Sequence, residues 1–152
     1  ACGLCYEGLA WITGAGVMDG SAPSLRSLLL AALYSAGAHG IMTLNDFKSI
    51  GGDTRMGIGS LPVRLGSQRA AQVACWAMAL PQVAVIALLV DWGQPLHAAG
   101  VGALLAVQLL MMRRFLASPV QRALWYSGFG VPLFVLGMLV SAFALRAVEQ
   151  LS

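Results

Sequence analysis

Apolar residues run in long unbroken blocks along this chain, and polar residues gather in the short gaps between them. Five blocks approach the length a helix needs to cross a bilayer, about 20 residues. They are Ala1–Met18, Ser27–Leu44, Ala70–Val90, Leu96–Met112 and Ala123–Leu145. The runs are continuous and not alternating, so the pattern favours helices over the strands of a membrane barrel. The expected helices are therefore 1–18, 25–45, 70–90, 96–113 and 122–146, with a polar segment at 45–69.

The gaps carry turn chemistry. Asp19-Gly20-Ser21-Ala22-Pro23 and Asp91-Trp92-Gly93-Gln94-Pro95 are two such turns, and Ala117-Ser118-Pro119 breaks the chain before the last block. Trp92 is placed as an interfacial anchor, as are Trp125 and Tyr126. Inside the polar segment, Gly51-Gly52 predicts a helix break, with Asp53 curling back from a loop. No internal repeat is present.

Composition turns this pattern into a class. Of 152 residues, 59% are hydrophobic and 10% charged, against about 45–50% and about 25% in a soluble domain. A core of this size cannot bury that excess, so the expected fold is an all-α integral membrane domain. The net charge of +3 is no nucleic-acid signal, because the basic residues sit between apolar blocks and form no stripe. The chain starts at Ala1 already inside an apolar block, which points to a piece of something longer. Cys2-Gly3-Leu4-Cys5 has redox spacing but no βαβ context, and reads as small residues packing in a membrane helix.

Charge then orients the helices. Lys48, Arg55, Arg64 and Arg69 follow the second block, and Arg113, Arg114 and Arg122 follow the fourth. Only Arg26 and Arg146 fall on the other side. The bias places 45–69 and 113–122 in the cytoplasm. Five helices then leave Ala1 cytoplasmic and Ser152 outside.

The polar segment is the candidate for chemistry. Asp46 and Asp53 offer hard carboxylate oxygens of the kind that bridge Mg²⁺ to substrate phosphates. Asn45 adds a neutral oxygen, and Lys48 and Arg55 are cations suited to phosphate oxygens. The same residues also fit a solvated loop with scattered charges. Glu7 lies within an apolar block, where an ionisable group usually faces an interior cavity or a partner. His39 precedes Asp46 by seven residues and shares its helix face. It is either a ligand to a bound group or a buried histidine bonded to a neighbouring helix. Ala36, Gly37, Ala38 and Gly40 make the second helix thin, for close packing or for a bulky ligand.

The string YSAGAHGIMTLNDFKSIGGDTRMGIGSLPVRLG resembles the second aspartate-rich region of the UbiA-type prenyltransferases, in the branch of the bacteriochlorophyll and chlorophyll synthases. That branch reads close to N-D-F-K-S-[IV]-E-G-D-x-x-x-G-x-x-S-L-P-V. ACGLCYEGLAWITGAG resembles its fifth membrane helix, and ALPQVAVIALL, LLMMRRFLASP and WYSGFGVPLFVLGMLVSAFAL resemble its last three.

The resemblance implies about five transmembrane helices forming the C-terminal half of a nine-helix bundle, working with an N-terminal half that holds the first aspartate-rich region. It implies transfer of geranylgeranyl or phytyl from a prenyl diphosphate to the propionate of (bacterio)chlorophyllide, with Mg²⁺ as cofactor. Asp46 and Asp53 are then metal ligands, and Asn45, Lys48 and Arg55 face the diphosphate. Glu7 and His39 contact pigment or donor. The implied setting is a bacterial inner, photosynthetic membrane, shared with other pigment-biosynthesis or photosystem-assembly proteins. Gly51 stands where the family has Glu. That departure keeps a second reading open, a non-catalytic pigment- or quinone-binding subunit of a photosynthetic complex. Quinone and haem prenyltransferases are disfavoured, because they differ at the F-K-S and S-L-P-V elements.

Overall fold

A computed structural model describes residues 8–19 and 22–150. Seven helices follow one another: α1 (Leu9–Asp19), α2 (Leu25–Asp46), α3 (Ile50–Met56), α4 (Leu61–Leu65), α5 (Ser67–Asp91), α6 (Pro95–Ala117) and α7 (Pro119–Glu149). No strand occurs among the described residues. The helices α2, α5, α6 and α7 are 22 to 31 residues long and apolar enough to cross a membrane. The chain is thus an integral membrane protein. The first expected helix is described only from Gly8 onward, so Glu7, Cys2 and Cys5 lie outside the described residues.

Local chemistry sets where the long helices start and stop. Ser24 caps α2 by accepting the Ser27 N–H at 3.1 Å, and Pro95 and Pro119 open α6 and α7 where a missing N–H costs nothing. Gly93 ends α5 at φ 71°, a left-handed value that favours glycine. There the Gln94 N–H reaches the Leu89 carbonyl at 2.8 Å and the Gly93 N–H reaches Val90 at 3.0 Å. This Schellman pair satisfies two carbonyls that the helix end would leave orphaned.

The four long helices run up and down in sequence, with α2 closing the bundle against α5 and α7. One end holds the start of α2, the end of α5 and the end of α7. There the Arg26 guanidinium lies 5.8 Å from the Trp92 ring, and the Ser24 hydroxyl bonds the Glu149 carboxylate. The other end holds the polar segment and the α6–α7 corner, tied by Gln68 Nε2 donating to the Leu116 carbonyl at 3.1 Å.

Small residues let the helices approach, since hydrocarbon provides no hydrophobic drive between them. Gly37 leaves the space that the Phe134 ring occupies, and Gly40 sits against the Ala74 carbonyl of α5. Two pairs of buried polar side chains bond across helices, where water is scarce. Tyr34 and Ser141 hydroxyls lie 2.7 Å apart, and Gln82 Nε2 donates to Gln108 Oε1 at 2.7 Å. Tyr126 is no interfacial anchor: it is fully buried and stacks on Phe115 at 5.1 Å, because its face of α7 turns toward α6. Trp125, one residue earlier, is half-buried at the surface.

Candidate functional site

The break after α2 falls at Phe47, Lys48 and Ser49, not at Gly51-Gly52. Phe47 is buried and meets the Phe115 ring edge-on at 5.7 Å. Its insertion stops the helix, and the next three N–H groups bond three residues back (Phe47 to Leu44, Lys48 to Asn45, Ser49 to Asp46) at 3.1 to 3.3 Å. This is the tightening usual at a helix end. Gly51 and Gly52 then lie inside α3, so Asp53 stands on a helix and not in a loop.

The chain must return for a site to form. Gly57, at φ 69°, ends α3 in a second Schellman turn, with the Ile58 N–H on the Asp53 carbonyl at 2.8 Å. Ser60 precedes α4 without a side-chain cap bond. The orphan Leu61 N–H at the start of α4 points instead to the Asp46 carboxylate. A side chain at the end of α2 thus does the work of a cap, across fifteen residues of chain.

Asp46 and Asp53 are both half-buried, and the charge of Asp53 acts on Asp46. Ser49 lies between them, its hydroxyl 2.9 Å from Asp53 Oδ2 and 3.2 Å from the Asp46 carbonyl. Two like charges held together at a helix end repel, and a cation between them would relieve that repulsion. Each carboxylate has about four lone-pair sites, so the Leu61 and Ser49 bonds leave acceptor capacity over. Among the described residues no group of three or more His, Cys, Asp or Glu could enclose a metal. The donor set therefore fits a hard divalent cation that keeps some waters and is shared with a phosphate, and does not fit a closed nitrogen–sulfur site.

The other expected residues divide. Asn45 and Lys48 are exposed and bond each other, Lys48 Nζ donating to Asn45 Oδ1 at 3.3 Å. Asn45 Oδ1 thus serves Lys48 in this arrangement. Arg55 is exposed and ties back to its own helix, Nε donating to the Gly51 carbonyl at 3.0 Å. His39 is exposed on α2, not buried, and its Nδ1 lies 3.0 Å from the Ser35 carbonyl of the same helix, not of a neighbour. Ser49 and Gly57 were not singled out from the sequence. Both lie within the motif string, and the signal for Ser49 is its position four residues before Asp53. The Leu61 N–H carries no such signal, since a backbone group looks the same at every position.

Residues 2–134 match the UbiA prenyltransferase family. Curated relatives include the bacteriochlorophyll synthase 33 kDa chain of Cereibacter sphaeroides, 55% identical over 97% of this chain and 49% of the relative. The protein of the same name from Rhodobacter capsulatus is 47% identical over 95% of this chain and 48% of the relative. A chloroplastic chlorophyll synthase of Oryza sativa subsp. japonica is 35% identical over 95% of this chain and 38% of the relative. The chain spans about half the length, or less, of these relatives. No solved structure matches it.

Proposed function

The chain belongs to the UbiA prenyltransferase family, and on that premise we propose that it forms the C-terminal half of a membrane enzyme that prenylates (bacterio)chlorophyllide. The donor is geranylgeranyl or phytyl diphosphate. The allylic C–O bond breaks, the diphosphate leaves with the electron pair, and a propionate oxygen of the pigment forms the new C–O bond. The observation that carries this reading is the turn at residues 47–49 into α3, which brings Asp53 near Asp46 at the end of a membrane helix.

Asp46 and Asp53 would hold a divalent cation, Mg²⁺ in our reading. Bound there, it supplies Lewis-acid neutralisation of the departing diphosphate. Lys48 and Arg55 lie on the same segment and meet phosphate oxygens as charge develops on them. Asn45 positions Lys48 through their bond. The acceptor carboxylate is already a nucleophile and needs no base. The apolar helices keep water from the allylic cation. The motif faces the cytoplasm of a photosynthetic bacterial inner membrane, by the basic residues on its side. The N-terminal half of the enzyme supplies the other aspartate-rich region.

His39 suits the pigment. The Ser35 carbonyl only accepts, so Nδ1 carries the proton and neutral His39 keeps its lone pair on Nε2. The backbone of His39 lies about 10 Å along the helix from that of Asp46. A chlorin's central metal takes such an axial ligand while its propionate reaches toward the diphosphate. His39→Phe is expected to raise the KM for the pigment roughly tenfold and leave the donor KM in place. An unchanged pigment KM sinks this role.

The whole reading is tested with the full-length protein in membranes, given geranylgeranyl diphosphate and bacteriochlorophyllide. The prenyl ester should form with Mg²⁺ and stop when the cation is chelated. Pigment binding with no ester under any cation would favour the non-catalytic subunit.

Gly51 offers a second check. A Cβ there meets nothing within 4 Å, so Gly51→Glu has room on α3. The variant should fold at least as well, since glycine costs about 1 kcal/mol relative to alanine inside a helix. The added carboxylate should lower the half-saturating Mg²⁺ concentration by roughly tenfold, as ligand charge tunes such sites. A higher half-saturation value would mean that position 51 does not face the cation.

A further inference from the structure

At the motif end, α6 stops at Ala117 and α7 begins at Pro119. A cavity of about 400 Å³ opens at this corner, lined by Arg114, Arg122 and Trp125. Arg122 reaches across it, Nη1 donating to the Arg114 backbone carbonyl at 2.8 Å. One guanidinium is thereby fixed in place. A guanidinium has five donors, so this bond leaves others that match the paired oxygens of a phosphate.

The corner has no acid of its own. From Trp92 to Val148 the chain contains no Asp or Glu, while Arg113, Arg114 and Arg122 cluster within ten residues. Asp91 and Glu149 belong to the opposite end of the bundle.

Below the cations the surface turns apolar. Leu110 lies one turn before Arg114 on the same face of α6 and is 60% exposed. On α7 the Trp125 and Phe129 rings lie 6.2 Å apart, and Phe129 is exposed. Two guanidiniums and Trp125 thus line a cavity, and exposed apolar side chains, Leu110 on α6 and Phe129 on α7, lie one turn further from the corner on each helix.

We propose that this corner is a binding site for the phosphate headgroup of an anionic membrane phospholipid. The guanidiniums take the phosphate, and the exposed Leu110 and Phe129 side chains pack against the upper acyl chain. A free phosphate shares the headgroup chemistry, but the exposed apolar side chains one turn from the cations favour the lipid. Neither Asp46 nor Asp53 lines the cavity, and the proposal does not depend on the catalytic reading.

Native mass spectrometry of the detergent-purified protein tests this, with phosphatidylglycerol, phosphatidylcholine and inorganic phosphate as separate probes. The wild type should retain phosphatidylglycerol in preference to phosphatidylcholine. R114Q and R122Q should each lose that retention about fivefold, the value of one basic side chain near an anionic headgroup. R113Q, outside the cavity lining, should bind as wild type does. Should either cavity variant fold poorly, R122K replaces it, retaining the charge and losing the paired geometry, with an intermediate loss expected. Equal retention of both lipids, or retention unchanged in the cavity variants, overturns the proposal. Inorganic phosphate displacing phosphatidylglycerol at equal concentration overturns it too, because the apolar side chains would then contribute nothing.

Discussion

Full-length protein carrying Asp46→Asn or Asp53→Asn is expected to fold normally and lose Mg²⁺-dependent prenyl transfer by at least about a hundredfold. The asparagine form separates charge from shape. The amide oxygen at 46 still accepts the Leu61 N–H, and the one at 53 still accepts the Ser49 hydroxyl. What disappears is one of two negative charges that act on each other. Without divalent cation the variants should therefore melt no lower than wild type, since a repulsion has been removed. Added Mg²⁺ should raise the wild-type Tm, as any ligand of the native state does, and should leave the variants where they were. Asp46→Ala differs from Asp46→Asn in one further respect. It also removes the acceptor at the start of α4, worth about 1 kcal/mol for a helix cap. Turnover within a few-fold of wild type in either asparagine variant would remove the carboxylates from the metal site.

The second large effect is structural. Gly40→Ala should destabilise the protein by about 1–3 kcal/mol, the range for overpacking a tight contact. A Cβ at position 40 would lie 2.5 Å from the Ala74 carbonyl oxygen and 2.5 Å from Met78 Cγ. The methionine can move, but the carbonyl belongs to the α5 backbone and cannot. The two helices must separate, and Asp46 sits six residues further along the displaced helix. The Leu61 N–H that Asp46 accepts belongs to α4, which rests on α5. Gly40→Ala should thus reduce activity as well as Tm, although it touches neither substrate nor metal. Gly100→Ala is the control, because its nearest contact, Val140 Cγ1, is an ordinary 3.6 Å away. Thermal unfolding of both variants in one detergent decides the matter. A Gly40→Ala melting point equal to that of Gly100→Ala would mean that α2 and α5 do not cross there.

Much of this protein was legible along the chain, for a simple reason. A bilayer demands long apolar helices, and such helices are local in sequence. The blocks 27–44, 70–90, 96–112 and 123–145 announce themselves without any knowledge of neighbours. The turn at Gly93 and the starts at Pro95 and Pro119 are equally local, being set by which residues lack a Cβ or an N–H. The concentration of Asp46, Asp53, Lys48 and Arg55 after Leu44 marked one segment for chemistry on the same local grounds.

What the chain did not disclose depends on partners distant in sequence. Gly51-Gly52 reads as a break, yet the break falls at Phe47, because Phe47 finds its pocket against Phe115, nearly seventy residues away. Tyr126 reads as a surface anchor beside Trp125, yet only packing decides that one of two adjacent aromatics meets Phe115 and the other meets the membrane surface. His39 reads either as a ligand or as a buried histidine bonded to a neighbouring helix, and only the packing of α2 decides that it is exposed and bonds its own helix. The sequence by itself determined an integral membrane helix bundle and the segment that holds its charge. The tertiary structure alone decided that Asp46 caps α4, because that requires α3 to turn at Gly57 and α4 to rest on α5, and that Asp53 meets Asp46, because that requires the break at Phe47. Hydrophobic pattern is a property of neighbours in the chain, whereas a site is a property of neighbours in space.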